Sequence, residues 1–115
     1  MKEKFNKNHK AVLDALLLQE EHVKAGKMFG YPAYYAGKKL CICLYEQGVG
    51  LKVPETTASA LLERDNNVIP FQPMGKAKMK EWIQINMKDS KAYRNYADIF
   101  RQSIDYILEQ QGIKS

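Results

Sequence analysis

The segment from Pro32 to Val53 constrains the fold most, because three strand-like runs follow one another there with only short turns between them. Turns of two or three residues connect antiparallel strands, whereas parallel strands need a long crossover. The segment therefore predicts an antiparallel meander. Its runs are Pro32 to Ala36, Leu40 to Glu46 and Val49 to Val53, separated by Gly37-Lys38-Lys39 and Gln47-Gly48.

The middle run, LCICLYE, has apolar residues on both faces of a strand. It therefore predicts a central strand that is covered on both faces or paired in a dimer. Cys41 and Cys43 lie two residues apart, so in a regular strand they share a face and cannot form a well-aligned disulfide. We expect both to be buried, reduced thiols. In the preceding run, alternation places Tyr31, Ala33 and Tyr35 on one face and Tyr34 on the other, where core and edge packing accounts for them.

The remaining chain predicts three helices and further strands, in the order α-β-β-β-β-α-β-β-α, with residues 1–7 as a flexible lead. Such an order is typical of an α+β fold in which helices pack on an antiparallel sheet, and we expect a single domain over residues 1–115. The predicted elements outside the meander are a helix from His9 to Glu21 capped by Asn8, a weak strand from Val23 to Phe29, a helix from Pro54 to Arg64, a short edge strand from Val68 to Phe71, a strand from Lys78 to Met87, and a helix from Asp89 or Ser90 that Gly112 closes.

Several chemistries find no support in the sequence. His9 and His22 are expected to be a solvated first-turn residue and a helix-end residue, without an acid or nucleophile beside them. Two cysteines at this spacing match no zinc pattern, and Gly75-Lys76 lacks the flanking residues of a phosphate-binding loop. We therefore expect no catalytic residue, no metal and no cofactor. No apolar run approaches the length of a membrane span or signal peptide, so we expect a cytoplasmic protein that does not contact membranes.

The segment GKAKMKEWIQINM is the most unusual one. Read as a strand, it places Lys76, Lys78, Lys80 and Trp82 on one face and Ile83 and Ile85 in the core. A tryptophan at the end of a lysine stripe can stack on a nucleic-acid base or bind a protein partner. The alternative is structural, with Trp82 packing across strands against Tyr34, Tyr35 or Tyr45. The four residues form the candidate binding face.

Four blocks carry a resemblance to a known family. They are Lys27-Met28-Phe29-Gly30-Tyr31-Pro32 with Gly37 after it, the LKVPE of Leu51 to Glu55, PFQPMG from Pro70 to Gly75, and Met79-Lys80-Glu81-Trp82-Ile83. In this order and spacing the chain resembles the TfoX N-terminal domain family, from the first helix to about Ile107. The resemblance implies a small α+β domain of secretion-chaperone-like layout, in a single-domain member that lacks the TfoX C-terminal domain.

The namesake bacterial proteins of that family regulate natural competence, and the family implies no catalytic residues. Met28, Phe29, Gly30, Pro32, Gly37, Phe71, Pro73, Met74 and Gly75 are then interpreted as fold-defining packing and turn positions. The function expected is a non-enzymatic regulatory module that acts by protein contact, with a homodimer possible. The alternatives are a nucleic-acid accessory domain that uses the candidate binding face and a small-molecule-binding domain. The net charge of +5 is compatible with nucleic acid without requiring it.

Overall fold

A computed structural model describes residues 5–75 and 77–113 and confirms the predicted α+β order. The elements are α1 (Lys7–Leu17), β1 (Val23–Met28), β2 (Tyr31–Ala36), β3 (Lys39–Tyr45), β4 (Gly48–Lys52), α2 (Glu55–Arg64), β5 (Val68–Pro70), a 3₁₀ turn (Pro73–Gly75), β6 (Trp82–Ile85), a 3₁₀ helix (Ser90–Tyr96) and α3 (Ala97–Gln110).

The six strands form one antiparallel sheet in the order β1-β2-β3-β4-β6-β5. The meander is confirmed, and its strands begin and end within one residue of the expected positions. The short strand β5 lies at an edge of the sheet, as its proline predicts. Among the described residues, the helices pack on one face of the sheet, and the segment that connects β5 to β6 packs on the other.

The helix-covered face holds the main core. Leu13 and Leu17 of α1 are buried at helical spacing, and Phe100, Ile104 and Ile107 of α3 form the matching stripe. Gly112 closes α3 with φ +73°, and the N–H of Ile113 bonds to the carbonyl of Leu108, as in a Schellman motif. The strongest amphipathic pattern of the sequence thus gives the helix expected from it.

The N-terminal helix differs from the expectation. It begins at Lys7, because the Asn6 side chain caps it by accepting the N–H groups of Asn8 at 2.9 Å and His9 at 3.0 Å. It ends at Leu17 instead of Glu21. Within the predicted lead, Phe5 forms a β-bridge with Glu46 and Lys7 begins α1. Residues 1–4 lie outside the described residues.

A β-bulge between β2 and β3 corrects the prediction for the cysteines. Tyr34 pairs with Ile42 and Tyr35 pairs with Leu40, so Cys41 is the extra residue. The bulge reverses the alternation there, and Cys41 joins the core under the helices while Cys43 lies on the opposite face. Both thiols are buried and free, and Cys41 Sγ donates to the carbonyl of Tyr34 at 3.3 Å.

The end of the chain differs in two further ways. The strand predicted from Lys78 to Met87 is only Trp82–Ile85, because residues 77–79 belong to the connection that crosses the open face. The predicted last helix is divided into the 3₁₀ helix Ser90–Tyr96, which Asp89 caps, and α3. Among the residues that the structure describes, no helix has the length and apolar character needed to cross a bilayer.

Candidate functional site

Three residues other than glycine have a left-handed backbone in the described chain: Phe29 (φ 50°), Glu46 (φ 52°) and Met74 (φ 55°). This conformation costs an ordinary L-residue about 1–2 kcal/mol, and glycine, asparagine or aspartate normally occupies such positions. Strained backbone of this kind clusters at functional sites in proteins.

The three left-handed residues border the same end of the sheet. Phe29 lies in the turn that follows Met28, which pairs with Tyr31. The Tyr31 and Tyr45 rings are in contact, with centroids 4.9 Å apart, and Glu46 follows Tyr45 directly. We call Phe29, Glu46 and Met74 the turn-tip corner.

Met74 is tied to this end by one hydrogen bond, in which its N–H donates to the Tyr45 hydroxyl at 2.9 Å. The side chains of the corner are exposed, Phe29 to 66% and Met74 to 68%. Gly30 (φ +85°) and Gly75 (φ +78°) follow them, and a Cβ at either glycine would meet no atom within 4 Å. The two dipeptides Phe-Gly and Met-Gly therefore place a large, mostly exposed apolar side chain at a left-handed turn position.

The other fold-defining positions of the sequence analysis do lie in packing or turn positions. Phe71 and Pro73 are buried, Met28 packs against the cluster on the open face, and Pro32 is buried in β2. Gly37 (φ +62°) occupies the turn between β2 and β3, where a Cβ would lie 2.6 Å from the Gln111 side chain. Phe29 and Met74 are turn positions, and their side chains are exposed.

The open face of the sheet is covered by aromatic rings instead of a second layer. Phe71 contacts the rings of Tyr45 and Trp82, with centroids 5.5 and 5.6 Å away. It lies on Gly50, where a Cβ would be only 2.8 Å from the ring. The expected cross-strand partners of Trp82 are thus replaced by Phe71, and Tyr34 lies on the helix-covered face.

The structure divides the candidate binding face. Lys78 and Lys80 precede β6 and are exposed, and Lys80 Nζ lies 3.9 Å from a Glu55 carboxylate oxygen. Trp82 opens the strand and is half-buried on the open face. Lys76 lies outside the described residues. Lys78, Lys80 and Trp82 therefore do not form one regular strand stripe.

A cleft of about 740 Å³ lies at the N-terminus of α1 and has His9 in its wall. His9 is not solvated as expected: only 1% of its surface is exposed, and Nδ1 is 2.6 Å from Ser90 Oγ. Its ring meets the edge of Tyr93, with centroids 4.7 Å apart. The remaining lining residues are Asn6, Gln47, Asn67, Asn86, Met87, Lys88, Asp89 and Ala92.

Burial lowers the pKa of His9, and hydrogen bonds with the backbone of Met87 and Gln47 oppose that shift. These contacts bind α1 to the end of β6 and to the 3₁₀ helix. Tyr93 continues the connection, because its hydroxyl donates to the carbonyl of Ile85 at 2.9 Å and accepts from Met87 N–H at 3.1 Å. The His9 environment is that of a satisfied structural side chain between packed elements.

The cysteines have no activated thiol. Burial raises the pKa of Cys41 to about 12 and that of Cys43 to about 12, so both are protonated at neutral pH. Within residues 5–75 and 77–113, no group of three or more His, Cys, Asp and Glu side chains converges as a metal site requires. His22 lies near Glu21 alone, at 3.6 Å.

Sequence reasoning missed the turn-tip corner, although both of its Xaa-Gly dipeptides stand in the blocks quoted above. A large apolar residue before a turn glycine, where asparagine is normal, was the available signal. Comparison with protein-family models, curated proteins and solved structures gives no match for this chain.

Proposed function

We propose that this chain is a non-enzymatic, cytoplasmic protein-interaction module that binds its partner through the turn-tip corner. The observation that carries the proposal is the pair Phe29 and Met74, each exposed by two thirds and each held in a left-handed turn. A fold that needed only a turn at these positions would gain stability from asparagine or glycine. The conformational cost of the left-handed backbone is explained if the two side chains act as anchors for another molecule.

The partner is a protein with two apolar sockets and a basic group. Large apolar side chains at the centre of an interface supply most of its binding energy when they enter pockets. Glu46 follows Tyr45 at the same end of the sheet and is exposed, so its carboxylate suits an arginine or lysine of the partner. The resemblance to the TfoX N-terminal domain family supports a regulatory role for such a contact.

The test compares partner recovery with wild-type chain and with the double variant Phe29→Asn, Met74→Asn as bait. Asparagine keeps the left-handed turns and removes both apolar side chains, so we expect the fold to persist and the partner to be lost. Leu18→Gln is the matched control, because Leu18 is also exposed (40%) but lies at the end of α1.

The proposal is abandoned if the double variant recovers the same proteins in the same amounts as wild type. Analytical ultracentrifugation of the same variants addresses a homodimer. If the wild-type chain and the control variant are dimers and the double variant is a monomer, the partner is a second copy of this chain.

A further inference from the structure

The end of the open face opposite the turn-tip corner has a different composition, in which lysines alternate with rings. The strand register pairs Lys24 with Tyr35, Tyr35 with Leu40, and Lys52 with Trp82. These residues follow one another across the sheet from β1 to β6. We call Lys24, Tyr35, Leu40, Lys52 and Trp82 the lysine–aromatic row.

The row continues into a shallow depression of about 330 Å³ beside the end of α3. Leu40, Lys52 and Trp82 line it together with Lys39, which pairs with Ala36 and so belongs to the helix-covered face at this end of the sheet. The other lining residues are Ile107, Gln110 and Gln111. The row is therefore one continuous surface that extends from β1 to β6.

The strands add positive charge and no carboxylate to the open face. They contain four lysines, and the register places Lys24 and Lys52 on the open face and Lys27 and Lys39 on the helix-covered one. Lys24 has no ion-pair partner among the described residues, whereas Lys52 Nζ lies 3.6 Å from Glu81, which also accepts the Tyr106 hydroxyl. The helices α2 and α3 contain five carboxylates and two arginines, so the strands are the more basic part of the molecule.

Tyr35 is held flat against the sheet. Its hydroxyl donates to the carbonyl of Lys27 at 2.8 Å, and its ring lies over Gly26, where a Cβ would be 2.9 Å from Cε1. One face of the ring is therefore in contact with β1, and the half-buried side chain leaves the other face to solvent. A ring fixed in this way needs no reordering to receive a planar ligand.

Trp82 supplies a second half-buried ring, supported by Phe71 at a tilt of 36°. Tyr35 and Trp82 are three strand spacings apart in the sheet order, which is about 14 Å. About four stacked nucleotides of one strand span that distance. The lysines beside each ring lie where the phosphates of such a strand would pass.

We propose that the lysine–aromatic row binds single-stranded nucleic acid, with bases stacked on Tyr35 and Trp82 and phosphates contacted by Lys24 and Lys52. Sheet surfaces that combine exposed rings with a basic track bind single strands with little sequence preference. A duplex is not the ligand, because its bases are already stacked and a flat sheet face does not enter a groove. This surface and the turn-tip corner are separate, so either proposal can fail alone.

The first experiment uses the intrinsic fluorescence of Trp82, the only tryptophan of the chain. Titration with oligothymidine at low salt is expected to quench it, because a stacked base contacts the indole. Polyphosphate and poly-glutamate are expected to leave the emission unchanged. Quenching that is absent, or that poly-glutamate produces equally, overturns the proposal, and the second result favours an acidic protein as the ligand.

The second experiment measures anisotropy of fluorescein-labelled oligothymidine with variants. Tyr35→Leu is expected to weaken binding about tenfold, whereas Tyr35→Phe, which keeps the ring, binds like wild type. Lys24→Gln is expected to weaken binding and lower the slope of log K against log salt by about 0.7. Lys91→Gln, on the 3₁₀ helix, is the matched control for charge.

Equal losses in Lys24→Gln and Lys91→Gln would show attraction to net charge alone and refute a site on the sheet. Thermal unfolding of each variant separates loss of the site from loss of the fold. The double variant Phe29→Asn, Met74→Asn is expected to bind oligothymidine like wild type, since it changes only the turn-tip corner. A duplex of the same length that binds as tightly as the single strand also refutes the stacking proposal.

Discussion

The two faces of the sheet bury their strands in different ways. The helix-covered face uses aliphatic side chains under α1 and α3, and Ser103 Oγ within it donates to the carbonyl of Cys41. The open face uses rings over glycines, with Phe71 on Gly50 and Tyr35 on Gly26. Aromatic side chains are large enough to cover a glycine and a neighbouring strand, so this face excludes water without a second layer. It also remains accessible to a ligand.

The largest expected effect contrasts two neighbours on β6. Ile83→Ala should lower the free energy of unfolding by about 3 kcal/mol, because Ile83 is fully buried under the helices and leaves a cavity. Trp82→Leu should cost about 1 kcal/mol, since Trp82 is only half-buried and leucine retains part of the contact. Urea unfolding measures both. Equal losses would mean that the open face is packed as completely as the covered one.

The glycines of the open face give the next effect. Gly50→Ala should destabilise the protein by about 2 kcal/mol, because its Cβ meets the buried ring of Phe71. Gly26→Ala should cost less, since the half-buried ring of Tyr35 can move toward solvent. A double-mutant cycle of Gly50→Ala with Phe71→Leu should show favourable coupling. If the free-energy changes of the two substitutions were strictly additive, the Phe71 ring would not depend on its contact with Gly50.

A pH effect should belong to the helix-covered face. Because burial lowers the pKa of His9, the folded state favours the neutral ring, and protonation is easier in the unfolded chain. Stability should therefore fall as the pH drops below the ordinary histidine value of about 6.5, with a slope of at most about 1.4 kcal/mol per pH unit. His9→Gln should flatten the dependence between pH 7 and 5, measured by urea unfolding at each pH. His22→Gln is the control, and a slope that only His22→Gln removes would contradict this assignment.

The smallest expected effect is a gain of stability at the margin of the open face. Phe29→Asn should raise the free energy of unfolding by about 1 kcal/mol, because Asn-Gly is the preferred sequence where both central residues of a two-residue hairpin turn have positive φ. Thermal unfolding should shift upward by about 4 °C. A loss of stability would show that the Phe29 ring contributes to packing and would weaken its assignment as an anchor.

The sequence predicts the parts of this molecule that local periodicity determines. The meander, the edge position of β5 and the closure of α3 at Gly112 follow from alternation, turn residues and helical spacing. The burial of His9 was also available, since His9, Leu13 and Leu17 repeat every four residues once Asn6 is taken as the cap.

Other features depend on pairing that sequence alone does not show. The bulge at Cys41 follows from how β3 meets β2, and no residue type announces it. The alternation of Lys76, Lys78 and Lys80 is typical of a strand, yet Lys78 and Lys80 precede β6, which begins only at Trp82. The candidate site was therefore only partly predicted. Trp82 was named from the sequence, whereas Tyr35, Lys24 and the turn-tip corner become candidates only once the sheet register shows which residues are their neighbours.

The bulge has a practical consequence for following local opening of the protein. Cys41 and Cys43 are separated by one residue, but one thiol lies under the helices and the other beneath the rings. Neither thiol can react with an alkylating reagent until the layer that covers it moves away from the sheet. The two alkylation rates, resolved by peptide mass spectrometry, would thus report the exposure of each layer independently in an unmodified chain.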